Sequence, residues 1–254
     1  MPARSLRTDE ILVPRAVTRL VVLGDPHGDL AGLEAVLARE PEAKPLSAGD
    51  NIGYAGGPAS SRLCSRLESL GIASVYGNHE AWLGEDGTLA IALDTPESKR
   101  LSPEAQAWCR SLPLCFRVRL EGRPGLTVGL THSIVGDDGA PTWEFVSREN
   151  VEQVAGLGGA DLVFIGHSHG PAIYAMAPGR PVQEARLDFD DDAPVVVEIL
   201  PGHRYVVDAG SLARPGHHPH PGRFELATYA ALDIAEGRLE LHAVRKLGAR
   251  EQDQ

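Results

Sequence analysis

Five short apolar runs in this chain each stop at a polar cluster, and no other feature restricts its fold as much. Leu20–Leu23 stops at Gly24-Asp25-Pro26-His27, and Leu46–Ala48 stops at Gly49-Asp50. Ile72–Tyr76 stops at Gly77-Asn78-His79-Glu80, Leu126–Leu130 at Thr131-His132, and Leu162–Ile165 at Gly166-His167-Ser168-His169. A run such as Leu20–Leu23, with no polar alternation, is a strand buried on both faces. Helix-spaced segments separate the first three runs. One carries Leu30, Leu33 and Leu37 on one face with Asp29 as N-cap. The other opens at Pro58, carries Leu63, Leu67 and Leu70, and closes at Gly71. Strand, polar turn and helix in repetition predict an α/β layered domain. Ligands bind beyond the carboxyl ends of strands in such sheets, so the five ends are expected to meet at one place.

The rest of the chain is read the same way. A helix is expected from Gly87 to Ser111, with Ser102-Pro103 as cap and first turn. A second is expected from Ser147 to Leu157, stopped by Gly158-Gly159. Cys115–Leu120 and Leu126–Leu130 read as paired strands around "EGRPG". Further strands are expected at Val195–Ile199, Tyr205–Val207, Ala227–Ile234 and Leu239–Val244, the last two joined by a turn at Glu236-Gly237. "LDFDDDAP", Leu187 to Pro194, reads as a solvated acidic turn, with a cation site as the alternative. No repeat or linker interrupts the 254 residues, so one domain is expected over 1–254, with its core at about 18–247.

Composition removes some classes. The formal charge of -11 argues against sequence-independent binding to duplex nucleic acid or to an anionic membrane. The three cysteines, without CxxC spacing, point to a reducing compartment. No signal-like segment and no apolar run of ~18 residues is found, so the expectation is a cytosolic protein.

Singly, each polar cluster has a plain explanation as a capped turn or a hydrogen-bonded histidine. Together they would converge Asp25, His27, Asp50, Asn78, His132, His167 and His169, with His79 beside them. Seven ligands are too many for one tetrahedral zinc ion. They suit two cations about 3.5–4 Å apart that share a carboxylate. Imidazole mixed with carboxylate and amide oxygen suits Mn, Fe, Zn or Ni better than Ca or Mg.

In order and spacing the series resembles the calcineurin-like metallophosphoesterase superfamily, whose pattern is D-x-H, G-D, G-N-H-[DE], H and G-H-x-H. "GDNIGYAGGP" and "VVDAGSLARPG" are similar to its small bacterial phosphodiesterase-type members. The resemblance runs from about Leu20 to about Val244. It implies a layered β-sandwich of mixed sheets flanked by helices, in αββα order. It implies two divalent transition-metal ions, Mn²⁺ first, with Fe, Zn or Ni as alternatives. Asp25, His27 and His169 would hold one ion, Asn78, His132 and His167 the other, and Asp50 would bridge them. The amide of Asn78 ligates without adding negative charge, which keeps the site attractive to phosphate. His79 would be the general acid, protonating the leaving oxygen as a bridging hydroxide attacks phosphorus. Glu80 would either orient His79 or stand at the surface.

The expected reaction is hydrolysis of a small phosphodiester, a nucleotide among the candidates. The superfamily's protein phosphatases carry an Asp-Arg pair shortly after the second Asp, where this chain has Asp50-Asn51-Ile52-Gly53-Tyr54 and no Arg, which weighs against that activity. Phosphomonoester hydrolysis and a non-catalytic binding module are the alternatives, and nucleic acid is disfavoured by charge. Arg214 is the expected substrate contact. Tyr54 is read as cleft lining or packing, and Trp82, Trp108 and Trp143 as packing. The loop carrying His217, His218 and His220 has no assigned role, and a homo-oligomer is left open.

Overall fold

The computed structural model describes residues 7–90, 96–136, 139–189, 193–214 and 225–246. Two mixed sheets pack face to face. The strands of the first, in spatial order, are β1 (Thr8–Val13), β5 (Cys115–Leu120), β6 (Thr127–Thr131), β7 (Leu162–Ile165), β11 (Arg204–Asp208), β8 (Ala172–Met176) and β9 (Gln183–Arg186). The second sheet runs β10 (Val195–Glu198), β13 (Arg238–Arg245), β12 (Leu226–Asp233), β2 (Arg19–Leu23), β3 (Lys44–Ser47) and β4 (Ala73–Ser74). Strands β2, β3 and β4 are mutually parallel, as are β6, β7 and β11. Each sheet therefore delivers a set of carboxyl ends to one edge of the sandwich.

Alternate residues of the apolar runs serve different layers. Leu20 and Val22 of β2 pack between the sheets with Leu162 and Phe164 of β7. Val21 and Leu23 face outward onto α1 (Leu30–Arg39) and α2 (Gly57–Ser69), against Leu33, Val36, Leu63 and Leu67. Val163 and Ile165 face the other way, under Ile134, Val146, Val151 and Val154. Burial on both faces is why these runs carry no polar alternation. Helix α1 starts as expected, with the Asp29 side chain accepting from Gly32 N–H at 2.9 Å.

Two expected helices are corrected. Over 87–111 the described residues form only α4 (Pro96–Lys99) and α5 (Pro103–Ser111), the latter capped by Ser102 as expected. Thr88 pairs with Arg100 in an isolated β-bridge, and Gly87 takes a left-handed φ, so no helix runs through Gly87–Ala90. Over 147–157 the chain makes 3₁₀ turns at Val151–Gln153 and Leu157–Gly159. Val151, Val154 and Ala155 still cover the sheet, but Gly156, Gly158 and Gly159 all adopt positive φ and break any helix there. Strands β1, β8 and β9 were not expected. The acidic turn lies partly outside the described residues. Among the described residues, no helix is long and apolar enough to cross a membrane.

Candidate functional site

All five polar clusters meet at one edge of the sandwich, and they come from both sheets. Asp25 and His27 follow β2, Asp50 follows β3, and Asn78 and His79 open the short α3 (Asn78–Ala81) after β4. From the facing sheet, His132 follows β6, and His167 and His169 follow β7. The turns are tight and the backbone there is unusual. Among the described residues, the non-glycine residues at left-handed φ are Asp25, His27, Asp50, Trp143, His167 and His169. Five of these are expected ligands. Such conformations cost of order 1–3 kcal/mol each and persist where a site is held in place by its surroundings.

Cross-links between strand ends supply that hold. His27 N–H donates to the Asp50 carbonyl at 2.8 Å, and His132 Nδ1 pairs with the Ala48 carbonyl at 2.7 Å. His167 N–H donates to Asp25 Oδ2 at 2.8 Å, and His79 N–H to Asp50 Oδ1 at 2.8 Å. Glycine is required where these ends touch. A Cβ at Gly77 would lie 2.2 Å from Asp50 Oδ1, and one at Gly166 would lie 2.6 Å from Asp25 Oδ2.

Three sets of side chains each bring one ligand atom apiece within 4.8 Å of one another: Asp25–His27–His169, His27–Asp50–His79 and Asp50–His132–His167. Asp50 belongs to two of them, and its oxygens divide. Oδ1 lies 3.5 Å from His132 Nε2, while Oδ2 lies 3.9 Å from His27 Nε2 and 3.8 Å from His79 Nε2. Asn78 Oδ1 sits 2.9 Å from His132 Nε2. The His167 Nε2–H is held by the Trp143 carbonyl at 2.9 Å, which fixes the tautomer and leaves Nδ1 as the nitrogen with a lone pair.

This donor set fits divalent cations. Asp25 Oδ1 is buried with no hydrogen-bond partner, yet His27, His132 and His169 Nε2 stand 3.6–4.0 Å from it. The His27 and His169 Nε2 atoms are 3.0 Å apart, close enough for one ring to donate to the other, and with both as acceptors they converge on a cation. The titration pattern agrees. Burial pushes Asp25 well above the usual carboxylate range. Burial would also raise Asp50, but the His132, His79 and His27 imidazoles outweigh it and hold Asp50 far below that range. His132 is pushed up to about 10, because Asp50 and Asp25 overcome its burial. Burial lowers His27, His79 and His167, the last to about 4. The carboxylates thus hold one proton on His132 where positive charge is called for.

Several functional groups escaped the sequence reading. Glu80 neither orients His79 nor reaches the surface. It is buried and accepts from the N–H groups of Asp50, Asn51 and Gly77 at 3.0, 2.8 and 2.9 Å. Asn51 extends this clamp to Ser47 and Ser74. Asp208 accepts from Gly210 N–H at 2.8 Å and from the hydroxyl of Ser168, which stands between His167 and His169 in the turn after β7. The Ser211 hydroxyl donates to the Asp25 carbonyl at 2.9 Å and accepts from Arg214 N–H at 3.0 Å. Arg214 therefore stands beside the site, its guanidinium carbon 4.1 Å from the centre of the Tyr54 ring. Tyr54 in turn lies 4.4 Å from the His27 ring. Trp82 is 47% exposed rather than packed, and Trp143 contributes its carbonyl. His217, His218 and His220 lie outside the described residues.

Known proteins share the chain's family and its fold. The family model described as calcineurin-like phosphoesterase matches residues 18–171. An uncharacterized protein of Methanocaldococcus jannaschii is 26% identical over 234 residues, covering 87% of this chain and 85% of its own. Among solved structures, a metallophosphoesterase from Sphaerobacter thermophilus superposes with a TM-score of 0.66 at 23% identity, over 91% of this chain and 89% of that one. A candidate diadenosine tetraphosphatase superposes with a TM-score of 0.51 at 16% identity, over 94% and 99%.

Proposed function

The chain belongs to the calcineurin-like phosphoesterases, hydrolases of phosphoric esters, and from that premise we propose that it cleaves a small phosphodiester where its two sheets meet. In this reading Asp25, His27 and His169 hold one divalent cation, Asn78, His132 and His167 hold a second, and Asp50 serves both. The observation that carries it is the division of the Asp50 oxygens, one toward His132 and the other toward His27 and His79. When bound, divalent ions, Mn²⁺ first, supply Lewis acidity for the phosphoryl oxygens and lower the pKa of water.

The remaining roles fall to the chain's own side chains. Asp50 is fixed by the His79 N–H, so the shared carboxylate and the acid move as one unit. His79 is 6% exposed and its Nε2 lies 3.8 Å from Asp50 Oδ2. From there it donates a proton to the departing oxygen. An anionic phosphoester beside His79 offsets the burial that lowers it, so the proton is held when substrate is present. Arg214, carried by Ser211 and stacked on Tyr54, is the substrate contact. The name of the diadenosine tetraphosphatase relative supports a substrate carrying a nucleotide.

The test is hydrolysis of bis(p-nitrophenyl) phosphate and p-nitrophenyl phosphate by metal-stripped protein with Mn²⁺ restored. The expected result is metal-dependent cleavage of the diester, lost in His79→Ala. Cleavage of the monoester alone would overturn the diester preference. Cleavage of neither, with several metals tried, would overturn the reading as a whole.

A further inference from the structure

Among the described residues, the large aromatic side chains that stand exposed are Tyr54, Trp82 and Phe145, at 37%, 47% and 55%. Their distribution is not scattered, since each is in ring contact with a histidine of the site. Trp82 closes α3, three residues after His79 and so on the same face, with ring centres 5.4 Å apart. Tyr54 lies 4.4 Å from His27 and 5.2 Å from His79. Phe145 stacks on His167 at 4.7 Å and an interplanar angle of 26°. Tyr54 and Trp82 thus border the side of the site that holds His27 and His79, and Phe145 borders the side that holds His132 and His167.

We propose that these rings are two stacking platforms flanking the reacting phosphate, and that the substrate is a phosphodiester bearing a nucleobase. The leaving nucleoside lies on Trp82, beside the acid His79, and the retained group meets Phe145. The inference rests on the phosphodiesterase reading above and names its substrate class. Three exposed rings around a cluster of buried polar side chains do not form one continuous apolar surface for a protein partner. They do match a ligand that is charged in the middle and flat at its ends. A base has a π-face whatever its identity, so such platforms recognise nucleotides without selecting among bases. The -11 charge makes a small nucleotide a better fit than a polynucleotide.

The test is calorimetric binding of AMP and of ribose 5-phosphate to the Mn²⁺-loaded protein, with Trp82→Ala and Phe145→Ala alongside. AMP should bind about tenfold more tightly than ribose 5-phosphate, the scale of one base stacked on one ring. The variant that lacks the ring under the base should lose most of that advantage and the double variant all of it, while ribose 5-phosphate binds as before. Equal binding of the two ligands to the wild type would overturn the inference. Equal weakening of both ligands in the variants would also overturn it, by showing general damage. Cleavage of bis(p-nitrophenyl) phosphate without any preference for AMP would remove the stacking platforms alone. A preference for AMP without cleavage of any ester would leave the platforms and remove the hydrolase.

Discussion

At position 132 one imidazole nitrogen is tied to the Ala48 carbonyl and the other faces Asp50, so the ring cannot turn away from the site. The carboxylates push it up to about 10, and it carries a proton at neutral pH when no cation is present. A cation bound there must displace that proton. Metal binding is therefore expected to release protons and to tighten as pH rises. Calorimetry in buffers of different ionisation heat would show this, and a heat that does not depend on buffer would contradict it. His79 makes the opposite case. If it acts on the leaving group and not on the cations, His79→Ala should lower turnover by about 10²–10⁴-fold with metal content near wild type. Elemental analysis showing both ions lost would count against that role. The expected ligands were legible in the sequence because each is a distinctive residue type placed directly after an apolar run. Glu80 was not legible. Besides the Gly77 N–H of its own turn, it collects the Asp50 and Asn51 N–H groups from the end of β3, a partnership decided by tertiary contact and not by spacing.

The strand-end turns are the elements on which the site depends. Gly77→Ala would put a Cβ on Asp50 Oδ1, so it should lower stability by about 1–3 kcal/mol and impair metal binding as well. Chemical denaturation and metal analysis read the two effects, and a variant normal in both would contradict the packing. The turn after β11 carries a pH dependence. Burial pushes the Asp208 carboxyl to about 7 from its ordinary 3.8. A raised acid stabilises the fold fully below its unfolded value, and that contribution is lost as pH rises through about 7. The displacement corresponds to roughly 4 kcal/mol at most. In metal-free protein, the stability advantage of wild type over Asp208→Asn should therefore be larger at pH 4 than at pH 8. A difference that does not change with pH would contradict it. At this scale the sequence was least legible where glycines decide. The apolar spacing of Val151, Val154 and Ala155 is helical in pattern, but the glycines after them turn the segment into 3₁₀ pieces. Strand β8 was legible in principle, since "AIYAM" is an apolar run set between Pro171 and Pro178.

For the molecule as a whole, the important feature is that the ligands are drawn from both sheets. The sequence pattern showed that five ends converge, but it could not show that three belong to one sheet and two to the other, because pairing is not written in periodicity. A cation held between the sheets ties them together, so metal removal should lower the melting temperature. At a free metal concentration of 100 times Kd, the linkage is about 2.7 kcal/mol per site. Melts with and without a chelator would show it, and identical melts would argue that no cation bridges the layers. The claim that Asp50 is shared is tested most directly by metal stoichiometry. Mn²⁺ titrated into stripped protein should saturate at two ions per chain, and Asp50→Asn should lose both. A variant that still binds two ions, or a wild type that saturates at one, would contradict the account.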